Sequence, residues 1–342
     1  MAKTELPELP SGDLLITGAT GFLGGRFVRE LLANGVSPSR LRCLVRDPTR
    51  AVRGGLPAES VRAVDLAAHE PQVLLDSVRG LGAVVHFAGT LKGVRAADFA
   101  AVNIDGTARL VAAVRQASPQ AHVLAVSSLA AAGPSRDGAT SALPPGRTRP
   151  VSLYGESKRR GELAVLQSGL PCTILRPPVV YGPGDGATRL LFRQSLAPLV
   201  AVPPRPTPLS VIHADDVLAA VWAALARPAL GLIVPLDGPE RTDTHAFSRA
   251  IAAACGRRAR QLPVPMCVAA GAAHLADLWG RMRRDPGYFS RDKVREIAAC
   301  GWVADPAPAA AALGFRATIT LAEGLADVAR HAGFVRRVVA GA

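Results

Sequence analysis

The chain has 342 residues, of which 49% are hydrophobic, and it carries a formal net charge of +13. This composition provides for a large core and excludes a disordered chain. The basic residues are scattered and only 4% of residues are aromatic, which argues against a platform that stacks nucleic-acid bases, so no nucleic-acid partner is predicted. Two interpretations of the charge stay open: a solvated arginine-rich surface, or a surface that attracts anionic ligands or lipid headgroups.

The cysteines and the amino terminus indicate in which cellular compartment the protein is expected. The five cysteines include no C-x-x-C pair, and Cys43 and Cys172 lie in apolar runs. We interpret these two as buried thiols in a reducing compartment, the cytoplasm. The amino-terminal "MAKTELPELPSGD" has no apolar core, so no signal peptide is expected. No integral membrane span is predicted either, because Arg227, Pro228 and Gly231 interrupt the most apolar stretch.

Short apolar runs alternate with helical patterns from the start of the chain. The runs predict buried strands, and the segments between them predict amphipathic helices. Phe27, Val28 and Leu31 form one apolar helix face, which Gly35 is expected to end. The alternation predicts an α/β fold with a doubly wound parallel sheet covered on both faces. The strand-like runs are 14–17, 41–45, 61–64, 83–87, 122–126 and 172–175.

The segment "LLITGATGFLGG" leads from the first predicted strand through a glycine-rich turn into a helix. Glycine permits a tight turn and a close backbone approach, and a helix N-terminus offers free N–H groups and a positive dipole to a pyrophosphate. This context predicts a dinucleotide-binding turn. Its predicted cofactor-binding residues are Gly18, Ala19, Thr20, Gly21, Phe22, Leu23 and Gly24.

The end of the second predicted strand, "CLVRDPTRAVR", indicates which dinucleotide binds. An acidic residue there would bond the ribose hydroxyls, whereas an arginine favours a 2′-phosphate. Arg46 comes first, and Arg50 or Arg53 would supply a second cation. The prediction is therefore NADP(H), with NAD(H) as the alternative if Asp47 turns inward.

Residues that follow the third and fourth predicted strands are also expected at the cofactor. Asp65, beside Leu66, is placed to accept a hydrogen bond from an adenine amino group, and the alternative is a cap of the next helix. Phe87 precedes Ala88 and Gly89, whose small size would let the ribose and pyrophosphate lie against the backbone.

The regular alternation ends near residue 180, which predicts two parts. We expect 11–180 to form the dinucleotide-binding domain, with 209–237 returning to it. Residues 181–208 and 238–342 are expected to form a smaller substrate-binding lobe over the carboxyl ends of the strands. Within that lobe, the apolar pattern of 267–279 favours a substrate-pocket helix over a face that rests on a membrane.

With these pieces in order, the chain resembles the extended short-chain dehydrogenase/reductase family, nearest to its 3β-hydroxysteroid dehydrogenase and dihydroflavonol reductase branches. The resemblance covers nearly the whole chain and implies a Rossmann-type fold and a nicotinamide-dependent enzyme. The motifs that carry it are "TGATGFLG", "VDL", "HFAG", "VNIDGT", "VSS", "YGESK", "LRPPVVYGPGD" and "IHADDVLAA".

The segment "LYGESKRR" places Tyr154 and Lys158 on one helix face, four residues apart. The resemblance implies that Tyr154 is the acid or base of the reaction and that Lys158 bonds the nicotinamide ribose. A free tyrosine has a pKa of about 10, and a nearby ammonium would lower it. The resemblance also implies that Ser128 holds the substrate oxygen, unless Ser127 takes that role. Asn103 would shape the helix beside the lysine, or else cap a helix.

Other matches to the family concern the cofactor and the structure. Pro177 and Val180 match positions whose backbone lies along the nicotinamide. His213, with Asp215 and Asp216, resembles a motif that anchors a strand-to-helix turn, and no metal site is predicted. The family also often forms homodimers through two helices, here those near 103–117 and 157–168, so a homodimer is expected.

The substrate class is suggested by a departure from the family's nucleotide-sugar members. Leu209 and Ser210 occupy the places of an arginine and an aspartate, of which the arginine grips the substrate phosphate, although Arg189 or Arg205 would be able to replace it. The prediction is NADP(H)-dependent interconversion of a carbonyl and a hydroxyl on a small to medium, largely apolar molecule. The alternatives are a nucleotide-sugar epimerase or dehydratase with tightly bound NAD, and a non-catalytic NADP-sensing protein.

Overall fold

The computed structural model of the protein describes residues 9–68, 70–283 and 287–334. The expectation that the chain has no signal peptide concerns its first residues, which lie outside the described ones. Parts of the predicted lobe, 284–286 and 335–342, also lie outside them. The strands are β1 Asp13–Thr17, β2 Leu41–Val45, β3 Val61–Ala63, β4 Leu81–His86, β5 His122–Val126, β6 Cys172–Arg176, β7 Val179–Tyr181, β8 Leu199–Val202, β9 Pro208–Leu209, β10 Val211–His213, β11 Leu232–Pro235, β12 Thr242–Asp243 and β13 Arg260–Pro263. The helices are α1 Phe22–Ala33, α2 Pro48–Arg53, α3 Pro71–Ser77, α4 Ala96–Ala100, α5 Thr107–Ala117, α6 Leu153–Gln167, α7 Gly186–Ser195, α8 Ala214–Ala226, α9 Thr244–Ala254, α10 Met266–Arg283, α11 Arg291–Ile297, α12 Ala307–Leu313 and α13 Leu321–His331.

A parallel sheet of seven strands forms the centre of the described residues, in the order β11-β6-β5-β4-β1-β2-β3. On one face α1, α8 and α12 pack through side chains such as Phe27, Val221 and Leu313. On the other face α3, α5 and α6 pack through side chains such as Leu110 and Val165. The predicted doubly wound, Rossmann-type fold is confirmed.

The sheet strands match the sequence predictions closely because they are buried on both faces. Leu15, Val84 and Leu124 lie in central strands and are fully buried. The predicted end of the first helix is also confirmed. α1 stops at Ala33, and Gly35 follows with a φ of +82°, a left-handed conformation that favours glycine.

The order of the strands reverses between β1 and β4, and this fixes where a ligand fits. In open parallel sheets, ligands bind beyond the carboxyl ends of the strands at such a reversal. The glycine turn follows β1, and Phe87 to Gly89 follow β4, so the predicted cofactor residues converge on this crevice.

The second half of the chain forms smaller elements beyond that edge. β7 pairs with β10, β9 with β12 and β8 with β13. A third apolar cluster, which includes Phe192, Phe247 and Leu325, lies among α7, α9 and α13. β11 joins the main sheet, and α12 packs on the sheet core although it falls within the range predicted for the lobe.

Three further observations concern the side chains and helices that the structure describes. Cys43 and Cys172 are buried free thiols, as predicted. Across 9–68, 70–283 and 287–334, no helix has the length and apolar character needed to cross a membrane. Within the same ranges, no three His, Cys, Asp or Glu side chains cluster closely enough to hold a metal ion.

Candidate active site

The turn between β1 and α1 can only be built from glycine at key positions. Gly18 has a φ of +68°, and a Cβ there would lie 2.9 Å from the Ala88 nitrogen. A Cβ on Gly24 would lie 2.3 Å from the Gly18 oxygen, well inside van der Waals contact. The Gly21 N–H donates to that same oxygen at 2.8 Å and closes the turn.

The first turn of α1 suits an anion. The helix begins at Phe22, and Gly21 precedes it without a side-chain cap, so the first amides keep their hydrogen-bonding capacity. No acidic residue lies in this turn to compete with a phosphate. The missing Cβ atoms and the open amides therefore fit a dinucleotide pyrophosphate.

The end of β2 presents the arginine predicted to select the cofactor. Arg46 is exposed, and its side chain makes no hydrogen bond with the residues that the structure describes. The Asp47 carboxylate caps α2 by accepting from the Arg50 N–H at 2.9 Å. Asp47 is thus directed at its own helix, which removes the reason to expect it at the ribose. Arg53 is exposed, with its Nε 3.4 Å from the Thr49 oxygen.

Asp65, predicted to contact the adenine, serves a local role in this structure. Its carboxylate accepts from the Ala67 N–H at 2.9 Å, the capping alternative considered from the sequence. Leu66 is buried, and its carbonyl accepts from the Arg109 guanidinium at 2.6 Å. Contact of Asp65 and Leu66 with adenine stays a prediction.

Tyr154 lies in the first turn of α6, whose start is fixed by Ser152. The Ser152 hydroxyl accepts from the Gly155 N–H at 2.9 Å, as expected of an N-cap. The Tyr154 ring lies half-buried, 6.2 Å from the Phe99 ring. Burial raises the pKa of the Tyr154 hydroxyl above its ordinary value, although a hydrogen bond with Ser128 lowers it.

Lys158 follows one turn later on α6, and its contact with a nicotinamide ribose stays a prediction. Its ammonium donates to the Val126 carbonyl at 3.0 Å, at the end of β5. Burial lowers the pKa of Lys158 to about 8, while Glu162 raises it. Burial is the largest influence on the pKa of Tyr154, and a lowering of that pKa by the Lys158 ammonium stays a prediction.

The two serines after β5 have separate partners. Ser128 bonds Tyr154, and its hydroxyl also accepts from the Ala130 N–H at 3.2 Å. Ser127 instead donates to the buried Glu162 carboxylate at 2.5 Å. The structure therefore brings Ser128, rather than Ser127, to Tyr154.

Asn103 lies in a π-helical turn, residues 101–106, between α4 and α5. Such turns occur frequently at functional sites. The Asn103 amide is buried, accepts from the Thr90 N–H at 2.8 Å and donates to the Ser157 hydroxyl at 2.9 Å. It therefore joins the segment after β4 to the Tyr154 helix and caps neither α4 nor α5. Gly89 lies close to this amide, since a Cβ on Gly89 would be 3.3 Å from the Asn103 Oδ1 atom.

Two predicted nicotinamide neighbours flank this group. The Pro177 carbonyl accepts from the Leu129 N–H at 2.8 Å, which holds the segment after β6 beside Ser128. Val180 is half-buried in β7, which pairs with β10. Their contact with the nicotinamide stays a prediction.

The sequence analysis missed a buried ion pair under the site. Arg176, at the end of β6, is fully buried and pairs with Glu162 at 2.7 Å. The Nη1 atom of Arg176 donates to the carbonyls of Ser141 and Leu143, in the long loop before α6, at 2.8 and 2.7 Å. The sequence feature that could have predicted this ion pair is Arg176 itself, a charged residue at the end of an otherwise apolar strand.

His86, the last residue of β4, anchors a buried hydrogen-bonded chain. Its two ring nitrogens lie 2.7 Å from the Thr17 hydroxyl and 2.9 Å from the Thr107 hydroxyl. Burial, and then the Lys158 charge, lower the pKa of His86 to about 3, so the ring is neutral. A cavity of about 20 Å³ lies beside this chain and Lys158, large enough for one water molecule.

The second half of the chain also contributes to α6. Asp292, at the start of α11, accepts from the Leu153 N–H at 2.6 Å and from the Tyr154 N–H at 3.1 Å. One turn further, Glu296 accepts from the Ser152 hydroxyl at 2.7 Å. No local pattern announces these contacts, because some 138 residues separate Asp292 from the residues it binds.

Comparison with known proteins identifies the family. The pattern of the NAD dependent epimerase/dehydratase family matches residues 14–233. A ceramide reductase from Caulobacter vibrioides (strain NA1000 / CB15N) is 35% identical over 306 residues, which cover 87% of this chain and 88% of that protein. This chain belongs to the NAD-dependent epimerase/dehydratase family. The resemblance to extended short-chain dehydrogenases/reductases is thereby confirmed.

One further relative and one solved structure of similar fold differ in what they act on. A 4-hydroxy-2-methyl-3-oxo-4-farnesyl-3,4-dihydroquinoline-1-oxide ketoreductase from Stigmatella aurantiaca is 27% identical and covers 77% of this chain and 80% of its own. The structure of a dTDP-glucose 4,6-dehydratase, DesIV from Streptomyces venezuelae, with NAD bound, superposes with a TM-score of 0.73 at 21% identity, over 93% and 96% of the two chains. This family member is an oxidoreductase enzyme, so the non-catalytic alternative is set aside.

Proposed function

We propose that the protein is an NADP(H)-dependent reductase that converts a ketone on a largely apolar, lipid-like substrate to an alcohol. The supporting observation concerns Leu209 and Ser210, the two positions at which nucleotide-sugar members carry the arginine that binds the substrate phosphate and the aspartate beside it. Leu209 is buried in the third apolar cluster. Ser210 is 1% exposed, and its hydroxyl accepts from the Ala304 N–H at 3.0 Å. Neither side chain presents a group to a substrate phosphate.

The names of two relatives support the same substrate class. One is a reductase of ceramide, and the other is a ketoreductase of a molecule that carries a farnesyl chain. Both molecules combine a polar oxygen-bearing part with a long hydrocarbon. A substrate of this kind needs apolar contact area rather than an anion-binding arginine.

The cofactor part of the proposal depends on the end of β2. The exposed Arg46 guanidinium is available for a 2′-phosphate, and charge-assisted bonds from arginine to phosphate are among the stronger hydrogen bonds. The Asp47 carboxylate, which would repel that phosphate, is turned to the amide of Arg50. Gly18, Gly21 and Gly24 would hold the pyrophosphate against α1.

Tyr154 and its neighbours would supply the proton that the carbonyl oxygen gains during reduction. When bound, the nicotinamide cofactor supplies the hydride that reduces the carbonyl carbon. Tyr154 would donate the proton to the carbonyl oxygen, and its raised pKa keeps the phenol protonated until that moment. Ser128 would hold the substrate oxygen. The Lys158 ammonium would offset the negative charge left on Tyr154 after the transfer.

Two observations favour a second function. The fold of an NAD-bound dTDP-glucose 4,6-dehydratase matches this one over 93% of this chain. Arg189 and Arg205, in the segment predicted to belong to the lobe, are exposed. A nucleotide-sugar epimerase or dehydratase with tightly bound NAD is therefore the alternative. It would require one of these arginines to replace the missing phosphate grip.

Turnover of two substrates by the purified protein separates these functions. A keto-ceramide dispersed in detergent is expected to oxidise NADPH, whereas dTDP-glucose is expected to stay unchanged. Tyr154→Phe should lower kcat by about 10²–10⁴-fold, since the proton donor is lost, while NADPH affinity stays near the wild-type value. Conversion of dTDP-glucose with NAD that does not exchange, or undiminished turnover by Tyr154→Phe, would overturn the proposal.

A further inference from the structure

Helix α10 presents its apolar side to solvent. Its exposed residues include Val268 (58%), Leu275 (67%), Trp279 (54%) and Met282 (75%), and these recur at helical spacing along one face. The opposite side, through Ala273, Asp277 and Gly280, is the buried one. This distribution reverses that of an ordinary surface helix, and it shows that the apolar pattern predicted from the sequence does not line a closed pocket.

Basic residues flank this helix in the sequence, and the exposed Asp, Glu, Lys and Arg side chains of the segment 257–283 are all arginines. The segment 257–283 contains five arginines and one acidic residue. The arginines are 257, 258 and 260 before the helix and 281 and 283 in its last turn, all exposed. The acidic residue, Asp277, is buried and paired with Arg291 at 3.3 Å. Arg283 lies over the Trp279 ring, 4.4 Å from its centroid.

We propose that this face, formed by Val268, Leu275, Leu278, Trp279 and Met282 with its flanking arginines, rests on an anionic phospholipid surface. Exposed leucine, tryptophan and methionine on one side and arginines beside them are the composition of a helix that lies in the plane of a membrane interface. Anionic headgroups complement the arginines. A second copy of the chain fits less well, because a two-fold interface would bring arginines of like charge together.

The position of α10 connects this surface to the candidate active site. Asp277 on α10 also accepts from the Arg291 N–H at 3.3 Å, at the start of α11. The next residue, Asp292, holds the amides of Leu153 and Tyr154. Tyr288, between α10 and α11, lies under the Lys92 ammonium at 4.2 Å, next to the segment that follows β4. This inference rests on the proposed function, since a membrane would be the source of an apolar substrate.

Sedimentation with extruded vesicles tests the surface without using turnover. The full-length protein is mixed with vesicles of phosphatidylcholine, or of phosphatidylcholine and phosphatidylglycerol in equal amounts. We expect at least about tenfold tighter binding to the anionic vesicles at about 0.1 M salt, and loss of the difference at high salt. Leu275→Gln with Met282→Gln should weaken binding by about tenfold or more, and so should Arg281→Gln with Arg283→Gln.

The matched control is Leu230→Gln, which removes an equally exposed leucine (57%) from the turn between α8 and β11 and should bind as the wild type does. The inference is overturned if the wild type stays in the supernatant with both vesicle types, or if both double variants bind unchanged. It is also overturned if Leu275→Gln with Met282→Gln only converts a dimer to a monomer. Vesicle binding without reduction of a keto-ceramide would refute the proposed function alone, and reduction in detergent without vesicle binding would refute this inference alone.

Discussion

At the scale of single residues, the site is a set of polar groups whose ionisation is set by burial. Burial raises the pKa of Tyr154, and it lowers the pKa of Lys158 to about 8 and that of His86 to about 3. Each shift favours the uncharged form of the group, as expected in a poorly solvated environment. Near neutral pH the site therefore combines a protonated phenol, a neutral imidazole and an ammonium close to its titration point.

The first prediction concerns that ammonium. Ketone reduction, as kcat/KM, should fall as the pH rises through about 8, because Lys158 loses the charge that stabilises a Tyr154 phenolate. Glu162 raises this pKa, so Glu162→Gln should move the fall to lower pH. Glu156→Gln, on the exposed side of the same helix, should leave the profile in place. A rate that stays constant to about pH 10 would contradict the assignment.

The second prediction concerns Arg46. Arg46→Ala should weaken NADPH binding by about tenfold or more, because a charged hydrogen bond to phosphate contributes roughly 1.5–3 kcal/mol. NADH binding should change little, since NADH lacks the 2′-phosphate. Calorimetry with both cofactors measures the two affinities. Arg29→Ala, an exposed arginine on α1, is the control, and an equal loss for NADPH and NADH would exclude selection by Arg46.

At the scale of elements, the connections between strands and helices carry the site, and the elements themselves carry the stability. The glycine turn joins β1 to α1, the Ser128 turn follows β5, and the π-helical turn precedes α5. Each connection lies at the same edge of the sheet, because parallel strands all end there. Arg176 then fixes the long loop before α6 to the end of β6 through two carbonyls.

Gly24→Ala tests the turn. The added methyl would lie 2.3 Å from the Gly18 carbonyl oxygen, so the backbone must move away from the pyrophosphate position. NADPH affinity should fall by about tenfold or more, and the melting temperature should fall by several degrees. Gly271→Ala is the control, because it also lies in a helix but meets no atom within 4 Å, and it should be neutral or slightly stabilising. Unchanged NADPH affinity in Gly24→Ala would contradict the close fit.

At the scale of the whole molecule, residues far apart in the chain meet around α6. The sheet supplies Ser128 and the lysine's carbonyl partner Val126, and the carboxyl-terminal segment supplies Asp292 and Glu296. Two backbone amides at the start of α6 thus depend on a carboxylate from α11. The orientation of Tyr154 is consequently tied to the fold of the second half of the chain.

Asp292→Ala tests this dependence. Loss of both hydrogen bonds should loosen the first turn of α6 and lower kcat by about tenfold, because small displacements of a catalytic group are costly. Asp243→Ala is the matched control: Asp243 caps a different helix, α9, by accepting from two amides at 2.8 Å. Both variants should lose about 1 kcal/mol of stability in urea denaturation, but only Asp292→Ala should lose activity. Equal kcat values would show that Asp292 acts on stability alone.

The sequence by itself determined the sheet, the glycine turn and the pairing of Tyr154 with Lys158. These features are local: burial on both faces makes strands apolar, a left-handed turn requires glycine, and a spacing of four residues places two side chains on one helix face. The cap role of Asp47 was not foreseen, although Pro48 after it is a typical start of a helix.

Only the tertiary structure decided which serine reaches Tyr154, and that Arg176 and Asp292 hold the loop and the helix around it. These contacts join residues from 14 to 139 positions apart, so no sequence period records them. The sequence favoured a pocket for the apolar face of α10, and only the structure shows that this face is exposed, because an apolar helix face packs equally well against a core or a lipid. Asp277, paired with Arg291, lies on the buried side of the helix, opposite that face.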